Sequence, residues 1–173
     1  MFKKIDIRST LISATIAAVL YSTLAGIFIY LASYRYSSLL YFGSVLFGIV
    51  MWIHTIRDNK KRGENESTVA LIFASNMTTV AGVIISCLIC FCLLAILVPG
   101  YLSSATPDKT FVGEPVNIIK DKTDGLSFEV FMSATIINYS VGAFVGLILP
   151  FYSKRNQTRD SREPTPLHQQ GTK

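Results

Sequence analysis

The chain has 173 residues, half of them apolar and only 16% charged, with a formal net charge of +5 and a mean hydropathy of +0.44. A soluble domain of this size carries about a quarter charged residues, whereas here the charges crowd into the ends and two connections and leave long uncharged stretches between them. This excludes an ordinary soluble domain. Because the Lys and Arg residues flank apolar runs and form no basic domain of their own, lipid headgroups rather than nucleic acid are the expected anionic neighbour.

The chain opens on Lys3, Lys4 and Arg8, then enters an apolar run. That run is about 22 residues long, beyond the roughly 7–15 of a signal-peptide core, and predicts an uncleaved first span over residues 10 to 32. A short turn with Arg35 leads to a second span over 38 to 54, followed by the charged connection "TIRDNKKRGENES". The third span covers 68 to 98 and is stopped by Pro99-Gly100. At 1.5 Å per residue it would be roughly 45 Å long, more than a bilayer core requires. Its polar start (Ser75, Asn76, Thr78, Thr79) predicts that the excess projects there. The connection over 99 to 126 carries Phe111, Val112, Val116, Ile118 and Ile119, and is expected to fold back as a small cap. A fourth span over 127 to 152 holds Pro150 near its end, and the tail over 154 to 173 lacks apolar periodicity and is expected to be disordered. The predicted fold is therefore an all-α membrane protein: a bundle of four transmembrane helices within residues 1 to 153, plus a tail.

Basic residues in short connections set the orientation. Lys3, Lys4 and Arg8 mark the amino end; Arg57, Lys60, Lys61 and Arg62 mark the second connection; Lys154, Arg155, Arg159 and Arg162 mark the tail. The first turn has only Arg35, and in the third connection Lys109, Lys120 and Lys122 are offset by Asp108, Glu114, Asp121 and Asp124. Both termini and the second connection are predicted to be cytoplasmic. Tyr30, Tyr34, Tyr36 and Tyr41 at one boundary, and Trp52, Phe151 and Tyr152 at the other, suit the headgroup levels.

Small residues recur every four positions: Ala14, Ala18, Ser22 and Gly26 in the first span, Ser44 and Gly48 in the second. The third carries Ala74, Thr78, Gly82, Ser86 and Cys90; the fourth carries Asn138, Gly142 and Gly146, the glycines framing "GAFVG". Lipid tails are as apolar as leucine, so helices in a bilayer associate through close backbone approach and interhelical hydrogen bonds, which small residues permit. These seams are either contacts within the bundle or, for one of them, a surface for a second copy or another membrane protein. The first span, with the most uniform stripe, is the expected free seam. Asn76 and Asn138 are expected to make interhelical bonds or to line a polar path.

The chemistry sought in the sequence does not assemble. No span has an ionisable group near its middle, with His54 and Glu129 at span ends, which argues against a proton relay or an acid-lined channel. "CLICFC" offers three thiols, but at about 100° per residue Cys87, Cys90 and Cys92 do not converge, and a metal site needs about four ligands. They read as small apolar filler. Asn-X-Ser/Thr sites at Asn65, Asn76, Asn138 and Asn156 fall in the predicted cytoplasm or membrane and should stay unglycosylated. Aligning "DKTDG" on Gly125 puts Lys120 and Lys122 at ligand positions of a calcium loop, which rejects an EF-hand. There is no P-loop, GxSxG, HExxH or dinucleotide fingerprint. No cofactor is expected.

The charged stretch "IRDNKKRGENES" ahead of "TVALIFASNMTTVAGVII", then an outer connection and a glycine-rich last span with a basic end, resembles small bacterial four-helix inner-membrane proteins classed as a domain of unknown function. The resemblance covers roughly residues 40 to 155, rests on layout, and transfers no catalytic or binding residue. It implies a bacterial plasma membrane. Tetraspanins share the loop lengths but require cysteines in the second outer loop, which this chain lacks. The expected function is a non-enzymatic scaffold, assembly or accessory subunit acting through helix contacts; the alternative is a small oligomeric channel or transporter with a Ser/Thr/Asn-lined path.

Overall fold

The computed structural model describes residues 6–62, 67–98, 101–102 and 125–160, with the side chains of 62 and 153–160 outside the description. The proposed cap over most of the third connection, the sequence site at Asn65 and the tail beyond Asp160 therefore lie outside the described residues. All regular structure among the described residues is helical: α1 (Ile7–Leu31), a short 3-10 turn (Tyr34–Tyr36), α2 (Ser38–Arg62), α3 (Thr68–Leu97), α4 (Leu126–Met132), a π-helical turn (Ser133–Ile137) and α5 (Asn138–Asp160). The last three form one continuous rod. Four helical rods are long and apolar enough to cross a membrane, the makeup of a multi-pass helical membrane protein.

Local chemistry sets the ends. Asp6 caps α1 by accepting the Ser9 amide at 3.2 Å, and Ser67 caps α3 by accepting that of Ala70 at 3.2 Å. Ala32, at φ 45°, closes α1 by turning its amide onto the carbonyls of Phe28 and Ile29. Gly125 (φ 89°) starts α4 in a conformation that other residues rarely adopt. Two helices outlast their apolar runs. α2 continues past residue 54 to Arg62, and α5 past 152 to Asp160. Both extensions are polar but contain neither Gly nor Pro, so hydropathy ends before the backbone has reason to stop. Residues 154 to 160, expected as tail, thus continue the helix.

α1 packs against α2 and α3, and α5 packs against the same two, so the order around the bundle is α1–α2–α5–α3. α2 and α3, consecutive in the chain, sit on a diagonal and meet only lightly. Side-chain pairings give the directions. Ser22 meets Cys90 and Gly26 meets Leu93, so α1 and α3 are parallel; Gly142 meets Thr79 and Gly146 meets Ser75, so α5 and α3 are antiparallel. The start of α1, the end of α2, the start of α3 and the end of α5 therefore share one end of the bundle.

The distribution of side chains is the reverse of a soluble protein's. Ala14, Ala17, Ala18, Ala25, Ser75, Thr78, Thr79, Ser86 and Asn138 are buried, while Ile12, Phe42, Leu88, Phe144 and Leu147 face outward. Buried positions on α3 recur every four residues through Ala70, Ala74, Thr78, Gly82, Ser86, Cys90 and Leu94. A four-residue step precesses by about 40° on an α-helix, so this stripe winds around α3. Within it Thr78 and Gly82 meet His54, Phe47 and Met51 of α2, and Cys90 meets Ser22 of α1. The polar start of α3 is buried as well: Thr78, on that stripe, faces α2, and Ser75 and Thr79 beside it meet Gly146 and Gly142 of α5. Polarity there marks an interface between helices.

The glycines set the spacing. A Cβ at Gly142 would overlap Thr79, one at Gly146 would lie 2.7 Å from Ser75 Oγ, and one at Gly82 would lie 2.9 Å from the Phe47 ring. By contrast, a Cβ at Gly26 would sit 3.4 Å from the flexible tip of Leu93, an ordinary contact. Gly142→Ala is therefore expected to destabilise the bundle by about 1–3 kcal/mol through overpacking, while Gly26→Ala is expected to be neutral or slightly stabilising. Thermal unfolding of the purified protein in mild detergent checks both, and equal midpoints for the two variants would contradict the packing.

Candidate functional site

Among the described residues the polar side chains inside the bundle form two groups. The first lies where the end of α2 meets the start of α3. Thr55 Oγ1 and Ser75 Oγ are 2.8 Å apart, and Thr78 Oγ1 lies 3.2 Å from Nε2 of buried His54. The Thr78 and Thr79 hydroxyls also donate to the carbonyls one turn back, at Ala74 and Ser75. This group is satisfied internally and fastens the diagonal pair that otherwise scarcely touches.

The second group lies deeper and is built around the π-helical turn. Leu126, Val130, Ala134, Asn138, Gly142, Gly146 and Pro150 are all buried, again a strict four-residue repeat. A π turn takes up one residue more than an α turn, which offsets about 100° of the accumulated precession. The wider turn loosens the backbone bonding, and Thr135 Oγ1 compensates by donating to the Phe131 carbonyl at 2.6 Å. Immediately after it comes Asn138. The antiparallel register through Gly146–Ser75 and Gly142–Thr79 carries Asn138 to the level of Gly82 and Ser86 on α3.

Asn138 is fully buried, and neither of its amide atoms has a hydrogen-bond partner among the described residues; the same holds for buried Ser86 Oγ and Ser133 Oγ. A buried polar group left unbonded costs about 1–3 kcal/mol. Among the described residues these three carry the buried side-chain polar atoms that lack a hydrogen bond. Around them, Tyr21 donates its hydroxyl to the Val130 carbonyl at 3.2 Å, and Ser22 Oγ lies 3.9 Å from Cys90 Sγ. The group offers a neutral amide and hydroxyls as donors and acceptors, chemistry suited to a polar uncharged ligand group rather than to an ion.

The structure places the small-residue seams as follows. Ala14, Ala18 and Ser22 are buried within the monomer and Gly26 is half-covered by Leu93, so the first span, expected to supply a free seam, faces its own bundle. Its neighbours α2 and α3 occupy two sides at once, which explains a second buried line through Ala17, Tyr21, Ala25 and Phe28. Ser44 and Gly48 are buried, with Ser44 Oγ returned to the Leu40 carbonyl and Gly48 against Val141. Gly142 and Gly146 of α5 meet Thr79 and Ser75 of α3, Gly82 receives Phe47 and Met51 of α2, Cys90 turns to Ser22 of α1, and Ser86 and Asn138 are buried without a hydrogen-bond partner among the described residues. Asn76 does not cross to another helix; its Nδ2 donates to the Ile72 carbonyl of its own turn at 2.9 Å. The thiols occupy three environments: Cys87 half-buried, Cys90 buried and Cys92 exposed. Among the described residues no three His, Cys, Asp or Glu side chains gather as a metal site would need.

Sequence reasoning missed Tyr21, Gly43 and Thr55. Gly43 lies where a Cβ would come 3.1 Å from the Tyr21 ring, so the two form one contact between α1 and α2. A tyrosine at the middle of an otherwise apolar span was the available signal, since a phenol in lipid needs a partner. The chain matches no protein-family model, no curated protein and no solved structure.

Leucine has asparagine's branched shape, with somewhat more bulk, and no amide to leave unbonded. Asn138→Leu is therefore expected to hold or raise the thermal midpoint in detergent, by about 1 kcal/mol. Thr55→Val, which breaks the bond to Ser75, should lower stability by about 0.6 kcal/mol. A clear fall for Asn138→Leu would show that the amide bonds another helix.

Proposed function

We propose that this chain is a non-enzymatic integral membrane subunit, a scaffold or accessory component, seated in a bacterial plasma membrane with both termini cytoplasmic. The observation that carries the reading is the internal use of the small-residue seams. Each glycine of the repeat is met by a side chain of the same chain, so the bundle is a self-contained body whose outer faces are left for lipid and protein neighbours. Arg8, Arg57, Lys60 and Lys61 collect at the end shared by the start of α1 and the end of α2, and such clusters favour the cytoplasmic side. Exposed Tyr30, Tyr34, Tyr36 and Tyr41 at one end, and Trp52, Phe151 and Tyr152 at the other, fit two headgroup levels. The resemblance in layout to small four-helix inner-membrane proteins supports the choice of membrane.

A second reading is favoured by one observation. Asn138, Ser86 and Ser133, unbonded beside a π turn, fit the path of an oligomeric channel or a small transporter that opens along α3. π turns recur at functional sites, and an unbonded amide suits a passing polar solute.

Photo-crosslinkers at outward Ile49 and Phe144, compared with inward Ala18, separate the readings in intact membranes. A scaffold is expected to give one reproducible membrane-protein adduct from the outward positions and none from Ala18, and to stay inert to solutes in liposomes. Solute flux that Asn138→Leu abolishes would establish the path instead, and substrate-dependent turnover by the purified protein would overturn both.

A further inference from the structure

The first turns of α1 and the last turns of α2 do not close on one another. Between them lies a cleft of about 480 Å³, with a second recess of about 300 Å³ adjoining it, sharing Ser9, Ser13, Ile16 and Arg57. Its rim is basic. Arg57, Lys60 and Lys61 come from α2, and Arg8 comes from α1. Two carboxylates, Asp6 and Asp58, also line it, so four cations face two anions. Asp6 is already turned to the Ser9 amide as the helix cap.

Below the rim the lining changes character. The hydroxyls of Ser9 and Ser13 come next, and the walls then continue as Ile16, Val50 and Ile53, beside the buried His54 ring whose Nε2 is turned to Thr78. Ile16 and Ile53 are about half-exposed, so the apolar walls open sideways, at the level where Trp52 also faces outward. The layers are therefore cationic, then hydroxylated, then apolar, along one groove between two spanning helices. A phospholipid presents the same layers in the same order: phosphate, glycerol ester and acyl chain. Basic pockets between spanning helices hold anionic headgroups, and the excess of cations here disfavours a zwitterionic headgroup whose choline or ethanolamine would meet the same rim.

We propose that this cleft is a binding site for one anionic phospholipid of the surrounding leaflet, with the phosphate held by Arg57 and Lys61, the glycerol region against Ser9 and Ser13, and an acyl chain along Ile16 and Ile53. The lipid then fills the gap between the first turns of α1 and the last turns of α2. The site is independent of whether the chain is a scaffold or a channel.

The test uses the full-length protein in mild detergent, with phosphatidylglycerol, phosphatidylcholine and inorganic phosphate as separate probes. Native mass spectrometry and thermal midpoints are expected to show retained phosphatidylglycerol and a stability gain that phosphatidylcholine and inorganic phosphate do not give. Exchanging Arg57→Gln together with Lys61→Gln should weaken the apparent affinity about tenfold or more, whereas Arg35→Gln, at the opposite end of the bundle, should leave it unchanged. Ser13→Phe fills the cleft without removing charge and should abolish retention too; it decides the matter should the double variant not fold. Equal loss with Arg35→Gln, equal retention of phosphatidylcholine, stabilisation by inorganic phosphate alone, or undiminished retention by Ser13→Phe would each overturn the assignment.

Discussion

The structure depends on how closely α5 approaches α3. In water the burial of apolar surface would draw two such helices together, but in lipid the surrounding chains are equally apolar and that drive is absent. What remains is dispersion between atoms in contact, which falls away within an ångström of separation, and hydrogen bonds between helices. Gly142 and Gly146 supply the first by removing the side chains that would otherwise meet Thr79 and Ser75. Once α5 sits at that depth, Gly82 can receive the Phe47 ring from across the bundle, and the Thr55–Ser75 and His54–Thr78 contacts come within reach.

The same approach explains the polar interior. A residue small enough to let two backbones close up is often one that carries a hydroxyl, so Ser75, Thr78, Thr79 and Ser86 occupy positions that leucine would hold in a soluble core. Thr78 and Thr79 return their protons to the carbonyl a turn earlier, while Ser75 bonds Thr55 of α2. Asn76 likewise turns its amide to the Ile72 carbonyl, whereas the Asn138 amide has no hydrogen-bond partner among the described residues. Its burial at the π turn, near Ser86 and Ser133, is where the packing arrangement carries a cost that packing alone does not explain.

The number and placement of spans were legible because hydropathy and length report directly on the bilayer. The four-residue stripes were legible for the same reason: Ala14, Gly82, Gly142 and their companions stand out against leucine and isoleucine. Three things were not. The circular order α1–α2–α5–α3 depends on which stripe meets which, and many stripes of small residues are interchangeable on paper; hence the first span read as free although two helices cover it. The ends of α2 and α5 were hidden because polar residues such as Lys60 and Gln157 say nothing against a helix. The π turn was invisible since "SATII" is unremarkable as a string.

The claim that organises the rest is that the glycine seam of α5 is consumed inside one chain. With the three native cysteines replaced, a pair introduced by Ser75→Cys and Gly146→Cys tests it most directly, because a Cβ at Gly146 would lie 3.1 Å from that of Ser75, close to disulfide range. Oxidation in native membranes is predicted to join the two within a single chain, seen as one linked peptide pair by mass spectrometry with no shift to a dimer. A disulfide-linked dimer, or no reaction at this pair, would contradict the account.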